Sequence, residues 1–175
     1  MPVILFPGDV SQITNKADGI LFLSLLSGRN PEYLIEQQIK SVSALKNTNL
    51  EILPTGYILI DGKKDTATQR VSKTKPIPQE KRELILNTSL AGEYSGKKII
   101  YLEAGSGATI PVDMDIITLV ANNLSIPIIV GGGIRSKIAL ENAYKAGADL
   151  VVIGTAFEKD EDFFNQIKKV NEQFL

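Results

Sequence analysis

The chain has 175 residues, of which 43% are hydrophobic, and its formal net charge is -1. It contains neither cysteine nor histidine, which excludes disulfides, thiolate metal sites and histidine-dependent catalysis, so proton transfer falls to a carboxylate, a tyrosine, a lysine or water. The balanced charge argues against nucleic acid as a partner.

Six short apolar segments follow one another along the chain and are predicted to be strands. They are residues 3–6, 20–26, 50–60 with a break at Pro54, 98–102, 127–130 and 150–153. Most are apolar throughout, which is typical of parallel strands that are covered on both faces or closed into a barrel. Helical spacing is found in residues 31–45, 78–94, 113–124, 136–146 and 160–174, and residues 61–75 are predicted to be a long loop.

This alternation predicts an α/β fold with one domain over residues 1–175, organised as a (β/α) barrel. A complete barrel of eight units takes about 250 residues, so six strands do not close it. The sequence leaves open whether the chain is a fragment, an open sheet, or a unit that a partner completes. No apolar segment reaches the roughly 18 residues of a membrane span, and the N-terminus lacks a signal-peptide pattern, so we expect a cytoplasmic protein without a transmembrane segment.

Three glycine-rich segments each follow a predicted strand directly, at residues 103–108, 131–135 and 154–156. In a (β/α) barrel, the loops after the last two strands and a nearby helix N-terminus commonly bind phosphate. Glycine lets the backbone approach an anion closely, and backbone N–H groups supply the donors. One such loop is usually only a tight turn, but three at strand ends predict a site for a phosphate monoester.

Two residues of the fourth predicted strand are the first candidates for chemistry. Glu103 lies where barrel strands deliver catalytic side chains, although a carboxylate that caps backbone N–H groups fits the pattern equally well. Tyr101 can share a face with Glu103, and a core tyrosine is the alternative.

Three further residues have a functional and a structural interpretation. Tyr57 can contact a ligand or pack in an irregular strand, since Pro54 and Gly56 suggest a bulge or a close backbone approach there. Arg135 can pair with phosphate or begin a helix in solvent. Asp9 can bind a metal or cap a helix, and the cap is favoured.

Six longer segments are specific enough to indicate a protein family. In chain order they are PVILFPGDVSQI, ILFLSLLSGRNPEYLI, ILPTGYILIDG, IIYLEAGSGA, IPIIVGGGIRS and VVIGTAFE. Together they resemble the geranylgeranylglyceryl phosphate synthase family, which includes bacterial heptaprenylglyceryl phosphate synthases. The resemblance implies a prenyltransferase of ether-lipid biosynthesis. Such an enzyme joins sn-glycerol 1-phosphate to a long, geranylgeranyl-type prenyl diphosphate through an ether bond and releases diphosphate.

Site residues follow from the resemblance position by position. It implies that Glu103 is the general base, with Tyr101 as its catalytic neighbour, and it makes Tyr57 and Arg135 candidate contacts for the prenyl diphosphate. The implied substrate-binding residues are Tyr101, Leu102, Glu103, Ala104, Gly105, Ser106, Gly107, Gly132, Gly133, Gly154 and Thr155.

The resemblance also implies Mg²⁺ as cofactor, with ligands upstream of this chain, because residue 1 lies close to what resembles the third barrel strand. We therefore expect a TIM-type barrel that lacks its first two βα units, with no metal ligand assigned here, and a homo-oligomer. Because those metal ligands lie upstream, we expect ether product only when the upstream sequence is restored. The prenyl chain length and the oligomer size are not specified by the sequence. Two alternatives stay open, namely a barrel enzyme acting on a sugar phosphate and a non-catalytic phosphate-binding remnant.

Overall fold

The computed structural model describes residues 1–160, 162, 163, 165 and 167 of the chain. Its centre is a sheet of six parallel strands that neighbour one another in chain order. The strands are β1 (Ile4–Leu5), β2 (Gly19–Leu25), β3 (Glu51–Leu59), β4 (Ile99–Glu103), β5 (Ile128–Gly131) and β6 (Leu150–Val152). All six predicted strands are confirmed, and within the described residues the sheet is open, with β1 and β6 at its two edges.

Helices connect most of the strands. They are a 3-10 turn (Val10–Gln12), a π-helical turn (Glu32–Glu36) that runs into α1 (Gln37–Leu45), then α2 (Ala67–Ser72), α3 (Arg82–Tyr94), α4 (Met114–Ala121), α5 (Lys137–Lys145) and α6 (Thr155–Lys159). The four helices predicted between residues 31 and 146 are confirmed, with shifted ends. The helix predicted at 160–174 lies outside the described residues, apart from 160, 162, 163, 165 and 167.

The prediction of an unbroken loop over residues 61–75 is wrong, because α2 forms inside it. Thr66 and Gln69 begin this helix with a capping box. The Gln69 N–H donates to Thr66 Oγ1 at 3.2 Å, and the Thr66 N–H donates to Gln69 Oε1 at 2.7 Å. The signal, a threonine followed three residues later by glutamine, was present in the sequence.

The bulge suggested at Pro54 and Gly56 is also wrong, since β3 pairs in continuous register with both neighbouring strands. The Pro54 carbonyl accepts the Lys98 N–H at 2.7 Å, so it faces β4. The β3–β4 ladder starts only at Thr55. The N–H that proline lacks would therefore have no partner in the ladder, and a proline costs little there.

The two faces of the sheet bury different sets of side chains. One face packs against the helices and is aliphatic, with members such as Ile58, Ile100 and Val130. The opposite face combines leucines of β2 and β3 with Tyr57 and Tyr101. Because side chains alternate along a strand, Tyr101 and Glu103 share this second face.

Among the described residues, no helix is both long and apolar enough to cross a membrane. Cytoplasmic residence and a single domain over residues 1–175 stay predictions.

Candidate functional site

The carboxyl ends of four strands lie side by side. The register places Leu59 opposite Glu103, Glu103 opposite Gly131, and Gly131 opposite Val152. The loops that follow β4, β5 and β6 therefore leave the sheet at the same edge. In open parallel sheets and barrels alike, this edge is where ligands bind.

Glu103 is the charged side chain at the centre of this edge. It is 6% exposed, and its Oε1 accepts the Gly105 N–H at 2.7 Å. Burial raises the pKa of Glu103 above its ordinary value, and the neighbouring Tyr101 hydroxyl and the Gly105 N–H oppose that rise only in part. A buried carboxyl with a raised pKa is a stronger base than an exposed one, which suits it to accept a proton from a substrate hydroxyl. Glu103 therefore caps the Gly105 N–H, as the structural interpretation expects. The same contact leaves its second oxygen available, and a catalytic role for Glu103 stays a prediction.

The first two glycine loops meet against this carboxylate. A Cβ atom at Gly131 would lie 2.5 Å from the Tyr101 hydroxyl and 2.6 Å from Glu103 Oε2. One at Gly132 would lie 2.6 Å from both Glu103 Oε1 and the Gly105 nitrogen. Gly132 also has a φ of +83°, in the left-handed region that glycine favours. Glycine is therefore required here for close approach as well as for backbone conformation.

Free backbone donors line the place where these two loops meet. In the part of the chain that the structure describes, the N–H groups of Ser106, Gly107, Gly132 and Gly133 have no hydrogen-bond partner. Unpaired N–H groups in successive residues near left-handed glycines form a concave surface that binds anions. Loops 103–108 and 131–135 thus lie against each other, while the convergence of their N–H groups on a phosphate stays a prediction.

The third loop lies beside the second. Gly154 and Thr155 follow β6, and Thr155 begins α6. Thr155 and Arg135 both line a small cleft of about 190 Å³. A Cβ at Gly154 would meet no atom within 4 Å, so packing does not require glycine at that position.

Arg135 joins the second loop to the first. Its Nη2 donates to the carbonyl oxygens of Gly107 at 2.9 Å and Ala108 at 2.7 Å. The guanidinium therefore holds the far side of the loop after β4, a role that neither sequence interpretation of Arg135 included. Direct contact of Arg135 with a ligand stays a prediction.

An aromatic cluster lies next to Glu103. The rings of Tyr57 and Tyr101 are 5.2 Å apart edge to face, and the ring of Phe6 lies 5.4 Å from that of Tyr101. Burial, reinforced by the charge of Glu103, raises the pKa of both tyrosines, so both hydroxyls stay protonated. Within the described residues, the buried Tyr101 hydroxyl makes no hydrogen bond of good geometry, although it lies close enough to Glu103 to lower the pKa of that carboxyl. Phe6 was not among the sequence candidates, and only its place directly after the first predicted strand could have indicated it.

A largely apolar cleft of about 360 Å³ opens beside Tyr57. Its walls come from β2, from the turn after β1, and from the helices on either side of β3; they include Phe6, Leu21, Leu23, Tyr33 and Val71. Sequence reasoning missed this cleft, because its walls come from segments far apart in the chain. Asp9, at its rim, accepts the Ser11 N–H at 2.8 Å and begins the 3-10 turn, which confirms the expected cap.

The sequence of the chain matches a known protein family. A sequence profile of the PcrB family matches residues 1–173. The chain is 66% identical over 161 residues to a geranylgeranylglyceryl phosphate synthase of Zunongwangia profunda, covering 92% of this chain and 69% of that protein. It is 59% identical over 165 residues to the synthase of Flavobacterium johnsoniae, covering 94% and 68%.

A solved structure shows the same fold. It is the (S)-3-O-geranylgeranylglyceryl phosphate synthase of Thermoplasma acidophilum in complex with its substrate sn-glycerol-1-phosphate. The two superimpose with a TM-score of 0.90 at 35% identity, over 99% of this chain and 70% of that one.

Proposed function

This chain belongs to the PcrB family, and from that premise we propose that it is a prenyltransferase of ether-lipid synthesis. It joins sn-glycerol 1-phosphate to a long prenyl diphosphate of the geranylgeranyl type through an ether bond and releases diphosphate. The observation that carries the proposal is the position of Glu103, a buried carboxylate at the point where two glycine loops with free N–H groups meet.

The acceptor phosphate binds to backbone donors. The free N–H groups of the loops after β4 and β5 supply them, and Thr155 at the start of α6 adds a hydroxyl on the neighbouring loop. Backbone amides bind a phosphate without needing a dedicated cation for each oxygen. The proposed binding residues are Tyr101, Leu102, Glu103, Ala104, Gly105, Ser106, Gly107, Gly132, Gly133, Gly154 and Thr155.

Glu103 acts as the general base. Its free carboxylate oxygen, Oε2, faces Gly131 and the Tyr101 hydroxyl, whereas Oε1 is occupied by the Gly105 N–H. The carboxylate takes the proton of the C3 hydroxyl of glycerol phosphate while that oxygen attacks C1 of the prenyl chain. The new C–O bond forms as the bond from C1 to the diphosphate oxygen breaks, and diphosphate leaves with the electron pair.

The prenyl chain occupies the apolar cleft. Tyr57 lines this cleft and also touches Tyr101, so it connects the apolar walls to the carboxylate. A cleft lined mainly by apolar side chains suits a polyprenyl chain and not a sugar, which favours prenyl transfer over the sugar-phosphate alternative.

The described residues contain no cluster of acidic side chains that by itself forms a metal site. Among them, no group of three Asp, Glu, His or Cys side chains is placed to hold a metal ion. Protein Mg²⁺ sites commonly use one or two carboxylates together with substrate phosphates, and the central carboxylate, Glu103, already accepts an N–H. The reaction above therefore contains no step through a metal, and dependence of turnover on Mg²⁺ stays a prediction, as does a homo-oligomeric state.

The direct experiment incubates the protein with sn-glycerol 1-phosphate and labelled geranylgeranyl diphosphate, with and without Mg²⁺ and with and without the upstream sequence restored. We expect a labelled ether product and one diphosphate per ether once that sequence is restored. Production of the ether at the same rate by Glu103→Gln would refute the assignment of the base. Binding of glycerol phosphate without any product under all conditions would refute the transferase and leave the non-catalytic alternative.

A further inference from the structure

The loop between β3 and α2 rests on the phosphate-facing loop after β4. The Gly62 carbonyl accepts the N–H groups of Thr109 at 2.9 Å and Ile110 at 3.2 Å. A Cβ at Gly62 would overlap the Ala104 carbonyl, and one at Gly105 would overlap the Thr66 side chain. Residues 62–66 are therefore held against the glycine loop by hydrogen bonds and close packing.

Two successive lysines in this segment differ in their surroundings. Lys63 has a left-handed backbone, with a φ of +57°, and its Nζ pairs with Asp61 at 3.1 Å and with Glu80 at 3.8 Å. Lys64 forms no ion pair with a carboxylate in the described residues. Its Nζ lies only 2.8 Å from the position that a Cβ of Gly107 would occupy. The ammonium of Lys64 thus lies directly over the glycine loop, in space that a side chain would fill.

The charge of Lys64 complements the neutral donors around it. The free N–H groups of Ser106 and Gly107 carry only partial positive charge, whereas a phosphate monoester is close to a dianion near neutral pH. A lysine supplies a full positive charge to phosphate without a fixed geometry. Lys64 also does not serve Glu103, because the pKa of that carboxyl is governed by burial, Tyr101 and Gly105.

We propose that Lys64 binds the phosphoryl group of the acceptor substrate from above Gly107. This inference rests on the proposed function, because it takes the glycine loops to be the acceptor site. It adds a binding residue from the loop after β3, which the glycine pattern did not include. Lys64 acts on the acceptor and not on the prenyl diphosphate, since its neighbour is the loop after β4 and it does not line the apolar cleft.

The test measures binding of sn-glycerol 1-phosphate and of inorganic phosphate by calorimetry. We compare the unmodified protein with Lys64→Gln, Lys64→Arg and the matched control Lys63→Gln. Loss of one charge-assisted contact at an exposed position weakens binding roughly tenfold in Lys64→Gln. Lys64→Arg keeps the charge and stays within about threefold of the unmodified protein, and Lys63→Gln leaves the affinity unchanged. Thermal unfolding confirms that all variants are folded.

A role in binding makes two further predictions that a structural role does not. The affinity for phosphate falls less steeply with added salt in Lys64→Gln than in the unmodified protein, because one screened charge has been removed. In turnover, the KM for glycerol phosphate rises, while kcat and the KM for prenyl diphosphate stay constant.

Three results would overturn the inference in distinguishable ways. Equal affinity in Lys64→Gln and the unmodified protein would refute the lysine and leave the transferase intact. If only the KM for prenyl diphosphate rose in Lys64→Gln, Lys64 would contact the prenyl diphosphate, and the inference would be refuted. Failure of the unmodified protein to bind either phosphate would refute the proposed function together with the inference.

Discussion

The Arg135 guanidinium donates to the Ala108 carbonyl oxygen at 2.7 Å and so ties together two loops that follow different strands. Through the same nitrogen it also reaches Gly107. The free N–H groups proposed to bind phosphate belong to these two loops. Their mutual position is therefore held in part by an arginine that is exposed on the surface, together with the hydrogen bond from the Ala104 N–H to the Gly131 carbonyl at 2.9 Å.

Replacing Arg135 by Gln is expected to loosen the loop after β4. We expect the affinity for glycerol phosphate to fall severalfold and the free energy of unfolding to drop by about 1 kcal/mol, the typical net value of a hydrogen bond. Hydrogen exchange of the N–H groups in residues 104–108 should become faster. The control is Arg82→Gln, because Arg82 is also exposed and, among the residues the structure describes, pairs only with Asp113 and Asp115 on the surface. If both variants behave alike, the tie between the loops is unimportant.

Replacing Glu103 by Gln is expected to lower kcat by about 10²- to 10⁴-fold, the usual contribution of a general base. Glutamine keeps an oxygen for the Gly105 N–H, so binding of the acceptor should change little. In the unmodified enzyme, kcat should rise as the pH increases through the raised pKa of Glu103, because only the carboxylate form accepts a proton. A kcat that does not depend on pH above the ordinary range of a glutamate would contradict this.

The same residue makes stability depend on pH. Burial raises the pKa of Glu103 above the ordinary value of 4.5, so the folded protein holds the proton more tightly than the unfolded chain does. This contribution to stability is fully present below pH 4.5 and is lost as the pH rises through the raised pKa. Glu103→Gln should therefore show a smaller decline in Tm from acid to neutral pH, while Glu83→Gln, at an exposed position, should follow the unmodified protein.

Comparing Gly132→Ala with Gly96→Ala separates the two reasons for a glycine at position 132, the left-handed backbone and the close contact with Glu103. Gly96 and Gly132 have nearly the same left-handed φ, +86° and +83°, but a Cβ at Gly96 meets nothing within 4 Å. Gly96→Ala should cost about 1 to 2 kcal/mol from the backbone alone. Gly132→Ala should cost about 1 to 3 kcal/mol more, because its Cβ overlaps Glu103 and the Gly105 nitrogen. Denaturant unfolding measures both values, and equal losses would show that the contact with Glu103 can relax.

Replacing Tyr101 by Phe removes a buried hydroxyl that makes no hydrogen bond of good geometry among the described residues but lies beside Glu103. We expect the free energy of unfolding to change by less than about 1 kcal/mol, and the pKa of Glu103 to rise further, because this hydroxyl lowers it. The affinity for glycerol phosphate should fall if the hydroxyl serves the ligand. Tyr33→Phe is the control, since the Tyr33 hydroxyl donates to the Val71 carbonyl at 3.2 Å and its loss should lower stability slightly.

The strands were predictable because burial on both faces leaves a continuous apolar pattern, as in β4 and β5. The neighbouring positions of the glycine loops were predictable for a different reason, because the strands of a parallel sheet all end on the same side and bring the loops that follow them together. The short helix α2 was missed, because only its capping box marks it and its apolar pattern is weak. Pro54 was misread because a sequence does not show where the neighbouring strand begins.

Contacts made by side chains outside the glycine loops escaped prediction. Lys64 and Gly107 are separated by more than forty residues, and so are Phe6 and Tyr101, yet each pair is in contact or nearly so. Periodicity reports which face of an element is buried, and it does not report what a loop tip will touch. The glycines and the glutamate of the site were thus predictable from the sequence, whereas Lys64 and Phe6 were identified only from the folded structure.

The donors that line the meeting point of the first two loops belong to the main chain. A substitution of Ser106 by any residue except proline, for example, removes no N–H from that surface. The side chains of these loop residues can therefore change without loss of the donors, as long as the backbone keeps its conformation. Its vulnerable positions are the four left-handed turns at Gly105, Gly107, Gly132 and Gly133, where nearly every alternative residue would change the path of the chain.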